Sequence, residues 1–167
     1  MYRFVGHCLA RHGYKVVIPD YSQYPAVKFP LFVQDGALAV QYAVQQLKPK
    51  RLFVAGHSAG AHIGALLAIN PEYNVRQHIT AFAGLAGPYC FTPDEDDLKD
   101  IFGPPELYPL MQAPTYVDGK QPPLLLQYGL KDTVVGAFNH EKLATQVAQR
   151  GGSVDIKTYP GAHHVDM

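Results

Sequence analysis

Between residues 52 and 69 the chain passes from an apolar stretch (Leu52, Phe53, Val54, Ala55) through Gly56-His57-Ser58-Ala59-Gly60 into an alanine-rich segment that reads as a helix. A buried strand that becomes a helix within five residues leaves few folds open. Such a turn crowds its flanking positions, and glycine is the residue that tolerates the crowding. The pattern is G-x-S-x-G, in which a sharp strand-to-helix turn pushes the serine hydroxyl out beside a base. The following helix aims its first N–H groups at any oxyanion formed nearby, and Ala59 supplies one such donor. The alternative reading of the same residues is an ordinary turn with Ser58 as a helix N-cap.

The rest of the chain alternates between the two periodicities. Phe4, Val5, Cys8 and Leu9 recur at helical spacing, with His12-Gly13 as the stop. Lys15 to Ile18 is a short β-branched run that predicts a buried strand, followed by a tyrosine- and proline-rich loop from Asp20 to Phe29. Pro30 opens a helix with Val33, Ala37, Val40, Val44 and Leu47 on one stripe, closed by Lys48-Pro49. Further strands are predicted at Arg51 to Ala55, Ile79 to Ala86, Leu124 to Tyr128 and Ser153 to Tyr159. Further helices are predicted at Ala59 to Ile69 and Gly136 to Arg150. Strands alternating with helices imply an α/β fold: a mostly parallel sheet with helices on both faces, in one domain over 1–167. Residues 87–121 break the pattern with many prolines and only short helical hints. They exceed a normal connector and read as a lid or substrate-side insertion.

Fourteen Lys and Arg balance fourteen Asp and Glu, so no global field favours nucleic acid or an anionic membrane. No apolar run approaches a membrane span, and the first residues lack a signal-type apolar core, so a cytoplasmic location is expected. Cys8 and Cys90 are far apart without C-x-x-C, which indicates free thiols and no zinc or redox motif. His57 and His62, five apart, lack the spacing that puts two metal ligands on one helical face. They read as residues flanking the motif. His7, His12, His78 and His140 show no grouping and are expected at a surface or interface. No metal and no organic cofactor is expected.

In a parallel sheet, functional residues gather at the carboxyl ends of the strands. Three candidates meet that rule: Ser58 after the Leu52 to Ala55 run, Asp132 after Leu124 to Tyr128, and His163 or His164 after Ser153 to Tyr159. In the functional reading the imidazole takes the serine proton, while the carboxylate fixes the imidazole tautomer and stabilises its charged form. Taken singly, Asp132 could instead be a turn carboxylate capping the next helix, and the histidines an exposed loop pair.

With these residues in place the chain resembles an α/β-hydrolase of the small carboxylesterase and kynurenine-formamidase-like group. The resemblance runs from Asp20-Tyr21-Ser22-Gln23-Tyr24-Pro25 through Gly56 to His62 and Gly129 to Val135, ending at Tyr159 to Asp166. It implies a serine hydrolase that cleaves small carboxylic esters through an acyl-enzyme, with arylformamide hydrolysis as the alternative. The partner implied is a small-molecule ester or amide. The Y-P-G-x-x-H ending of such families places the catalytic imidazole at His164, with Ser58 as nucleophile, Asp132 as acid and the Ala59 N–H in the oxyanion hole. The same comparison expects earlier strands, one carrying a second oxyanion donor in a His-Gly-Gly segment, and a covering helix after His164. The reading is therefore of an incomplete domain lacking those N-terminal strands and that C-terminal helix. It could be a truncated homologue with impaired catalysis, and the missing strand makes a homodimer worth seeking. Without it, the Lys15 to Ile18 and Leu52 to Ala55 strands must pair directly, part, or accept a strand from another chain. Tyr21, Tyr24, Tyr89, Phe91 and Tyr116 could form an aromatic substrate wall or serve in packing.

Overall fold

Ala81–Leu85 and Leu124–Gly129 form strands whose alternate residues are buried, whereas the strands Phe53–His57 and Val154–Tyr159 carry no fully buried residue. The computed structural model describes residues 2–167. Helix α1 (Arg3–Arg11) comes first, then an extended segment and α2 (Leu31–Tyr42), which runs on into a π-type turn over Ala43–Leu47. Strand β1 (Phe53–His57), α3 (Ala59–Ile69) and β2 (Ala81–Leu85) follow. Between β2 and β3 (Leu124–Gly129) lie two short helices, α4 (Asp96–Phe102) and α5 (Tyr108–Met111). The last elements are α6 (Phe138–Gln149) and β4 (Val154–Tyr159). The four strands are all parallel and lie in the order β1-β2-β3-β4.

Strand alternation decides where the core forms. Phe82, Leu124, Leu126 and Tyr128 point to one face and are buried, alongside Val33 of α2, the whole of α3 from Ala61 to Ile69, and Leu143 and Val147 of α6. Each such fully buried Leu, Ile or Phe contributes about 1.5–3 kcal/mol. Phe53, Ala55 and His57 of β1 point to the other face, where Tyr14 packs edge-on against Phe53 and Tyr2 against His57. These two tyrosines flank α1 and so carry that helix to the second face.

The strand predicted at Lys15 to Ile18 does not form. Its residues take no regular structure and join no ladder, and Val16, Val17 and Ile18 are 36%, 42% and 52% exposed. The physical reason is that β-branched residues favour a strand through cross-strand packing, and among the described residues no strand pairs with this segment. The segment and β1 part, and Ile18 instead lies over Gly6 of α1. Among the described residues β1 is hydrogen-bonded to β2 alone.

Residues 87–121 pack on α3 through a specific polar link. The His62 ring is buried and its Nε2–H donates to the Met111 carbonyl (2.6 Å), with Phe91 and Phe102 edge-on to the ring. Cys8 is exposed and Cys90 buried, both as free thiols. Among the described residues no helix is long and apolar enough to cross a membrane.

Candidate active site

The turn after β1 is built by backbone crowding. A Cβ on Gly56 would strike the Gly60 carbonyl, so only glycine lets the strand end and the helix start approach so closely. Ser58 takes φ 53°, ψ −120°, a left-handed strain that a non-glycine residue holds only when its surroundings impose it. The surroundings are a Ser58 N–H bond to the Leu85 carbonyl (2.9 Å), which continues the β1–β2 ladder, and the first turn of α3 closing on the Ser58 carbonyl. The Ser58 side chain caps nothing in α3, so the N-cap reading is set aside. Gly60 differs from Gly56, because a Cβ there meets nothing within 4 Å. Gly56→Ala should therefore unfold the turn and lower Tm by more than 5 °C, as expected for a loss above about 1–2 kcal/mol in a domain of this size. Gly60→Ala should leave Tm within about 2 °C. Thermal denaturation followed by circular dichroism checks both.

The structure brings Ser58, Asp132 and His164 together. His164 Nδ1 lies 2.8 Å from Asp132 Oδ2, and His164 Nε2 lies 2.9 Å from Ser58 Oγ. A carboxylate only accepts, so Nδ1 carries the proton and Nε2 keeps its lone pair for the hydroxyl. The Asp132 side chain is 1% exposed and that of His164 13%. Burial works against charge on Asp132. It is outweighed by the N–H of Val135, the His164 ring and the N–H of Val134, which leave the carboxyl below its usual range. Asp132 is a turn carboxylate as well, though it caps no helix: Oδ1 accepts the two backbone N–H groups of its own turn, ahead of α6, and Oδ2 faces the imidazole.

His163 does not enter this group. Its backbone N–H donates to the Asp166 carboxylate (2.7 Å) and shapes the 3₁₀ turn His164–Asp166. Gly129 lets that loop come close, since a Cβ there would strike the Ala162 carbonyl, and Lys131 N–H donates to the same carbonyl (3.0 Å). The loops bearing Asp132 and His164 are interlocked before their side chains meet. The Ala59 N–H stands in the first turn of α3, where helix geometry leaves the amide without an intrahelical partner.

Two expectations need correction. His140 is not at a surface but wholly buried on α6, stacked on Tyr128 (4.6 Å between ring centroids), with Nε2 accepting from Gly87 N–H. His57 and His62 are more than residues flanking the motif, since each bonds a distant carbonyl. No local signal marks these roles, because their partners lie 49 to 107 residues away. Of the aromatic residues considered for a substrate wall, Tyr89 is fully buried, Phe91 packs on Phe102, and Tyr116 donates to the Leu110 carbonyl. Tyr21 packs against the core and Tyr24 stays exposed, so these rings do not form one wall. A cleft of about 880 Å³ runs between Lys28–Pro30 and residues 92–110, lined by Phe29, Phe102, Leu107, Tyr108 and Leu110 but by none of Ser58, Asp132 or His164. Among the described residues no cluster of three or more His, Cys, Asp or Glu side chains is arranged to hold a metal ion.

Known proteins share this arrangement of strands and helices. The chain is 23% identical over 180 residues to the esterase LipQ of Mycobacterium tuberculosis, covering 91% of this chain and 42% of that protein. It is 22% identical over 201 residues to a probable isoprenylcysteine alpha-carbonyl methylesterase, ICMEL1, of Oryza sativa subsp. japonica, covering 98% and 46%. The chain therefore spans less than half the length of these curated relatives. Among solved structures it superposes on the apo form of Thermogutta terrifontis esterase 2 with TM-score 0.75 and 18% identity, covering 87% of this chain and 60% of the other. On a bifunctional GH43-CE protein of Bacteroides eggerthii the TM-score is 0.85 at 18% identity, with 98% and 26% covered. Residues 2–99, more than half of the chain, match the family described as alpha/beta hydrolase fold. The chain belongs to the alpha/beta hydrolase fold family, with esterases among its relatives.

Proposed function

We propose that this chain carries the reacting centre of a serine esterase that cleaves small carboxylic esters through an acyl-enzyme on Ser58. The observation that carries this reading is the His164 ring, held 2.8 Å from Asp132 on one nitrogen and 2.9 Å from Ser58 Oγ on the other. In acylation, Ser58 Oγ attacks the ester carbonyl carbon as its proton passes to His164 Nε2. Asp132 holds the ring in the Nδ1–H tautomer and stabilises the imidazolium. The oxyanion accepts a hydrogen bond from the Ala59 N–H, the single donor assigned among the described residues. Collapse of the tetrahedral species breaks the bond to the leaving alkoxy oxygen, which takes the proton from Nε2 and departs as alcohol. Water then attacks the acyl carbon with His164 again as base, releasing the acid and restoring the serine. The esterases among the relatives support the same class of reaction.

A fluorophosphonate probe tests the assignment. Folded protein should incorporate one probe per chain, on the peptide containing Ser58, and Ser58→Ala should incorporate none. Mass spectrometry that finds the probe on another residue, or no probe on folded protein, rejects the nucleophile.

A further inference from the structure

The x residue of G-x-S-x-G has a task that the reacting trio does not absorb. His57 Nε2 lies 2.7 Å from the backbone carbonyl of His164, and the two rings stand 4.9 Å apart. A carbonyl only accepts, so His57 carries its proton on Nε2. Its Nδ1 lone pair then accepts the hydroxyl of Tyr2, 2.8 Å away. The carbonyl selects this tautomer, and the Tyr2 hydroxyl, which can donate or accept, satisfies the remaining nitrogen.

The need for such a bond is visible in the loop. After β4, residues 160–167 contain only a short 3₁₀ turn, and Gly161, His163, Val165 and Asp166 are exposed. Among the described residues, the backbone of this loop is gripped from the Asp132 side by Lys131 N–H on the Ala162 carbonyl. From the Ser58 side it is gripped by His57. The ring of His164 must reach Ser58 Oγ within 2.9 Å, from a backbone that would otherwise pivot about the Asp132 side. Adjacent residues of one turn therefore hold the hydroxyl and the carrier of its base.

We propose that His57 is a positioning residue: its Nε2–H clamps the His164 carbonyl and sets the distance between the base and Ser58. This rests on the serine reading above for its kinetic consequence but not for its structural one. His57→Ala should lower kcat on a short-chain nitrophenyl ester about 10–100-fold, with KM changed less than about threefold, the scale expected for a misplaced reacting group. Backbone amide exchange across residues 160–167 should quicken about tenfold or more, while exchange in α3 and α6 stays as before. Glutamine reaches about as far as Nε2 and donates, whereas asparagine reaches only to Nδ1. His57→Gln should therefore restore most of both readouts and His57→Asn should resemble His57→Ala. If the alanine variant does not fold, the Gln and Asn variants make the same comparison.

Unchanged exchange in 160–167 on His57→Ala overturns the proposal, as does equal behaviour of the Gln and Asn variants. Failure of the serine reading looks different. The unsubstituted protein would then take no probe at Ser58 while exchange in 160–167 still depended on His57.

Discussion

Ser58→Ala should reduce kcat on an activated short-chain ester by about 10⁶-fold relative to the unsubstituted protein, and Asp132→Asn by about 10⁴-fold. The difference follows from what each change leaves behind. Without the hydroxyl no acyl-enzyme forms, and only binding and the Ala59 N–H act on the carbonyl. With asparagine at 132 the hydroxyl and imidazole remain. The amide, however, can donate to Nδ1 and so favours the tautomer with its proton on Nε2, facing Ser58 where the lone pair is needed. The two losses should not add in the double variant, because the residues act as one unit. Stopped-assay rates with probe titration of active sites measure both. A Ser58→Ala protein retaining more than a tenth of the rate, free of contaminating esterase, removes the serine from the mechanism. Asp132→Asn also loses a buried carboxylate that accepts the Val134 and Val135 N–H groups, so its Tm should be recorded beside its rate.

Acid should begin to destabilise this protein above the pH at which ordinary carboxylates titrate. Burial holds His62 at about 4 against an ordinary 6.5, partly countered by its bond to the Met111 carbonyl. It holds His140 at about 4 as well, partly countered by the charge of Asp132. Between those values the unfolded chain binds a proton on each imidazole and the folded chain does not, so stability falls as pH falls from 6.5 toward 4. A displacement of that size corresponds to about 3 kcal/mol per imidazole, and two of them reach the whole stability of many small domains. Asp132, held low in the folded state, adds a further loss below the ordinary carboxylate range. Urea midpoints measured from pH 7.5 to 4.5 should drop steadily below 6.5, and His140→Phe should remove about half of the slope. A midpoint flat over that range would mean that neither ring is kept neutral by the fold.

Much of this architecture is written locally. The α3 helix occupies the predicted Ala59 to Ile69, since an apolar run of small residues is closed there by Asn70-Pro71. The β3 strand begins at the predicted Leu124, just after Pro122-Pro123. Placement at strand ends names Ser58, Asp132 and the His163–His164 pair, because a parallel sheet leaves its carboxyl ends on one rim, and the family resemblance is what picks His164 from the pair. What escaped were features with distant partners. Lys15 to Ile18 has the composition of a strand but, among the described residues, no neighbour that pairs with it. His140 is polar by residue type, yet Tyr128 and Tyr89 enclose it. His57 and His62 sit in an obvious motif, but their carbonyl partners come from loops whose paths no periodicity encodes. The two glycines of the motif read alike, although only Gly56 is sterically obliged.

The order in which the rim is assembled has a temporal meaning. His164 follows β4, which among the described residues hydrogen-bonds to β3 alone. On the ribosome, Ser58 emerges more than a hundred residues before His164. Until the segment after β4 has been made, the Ser58 hydroxyl has no His164 ring beside it.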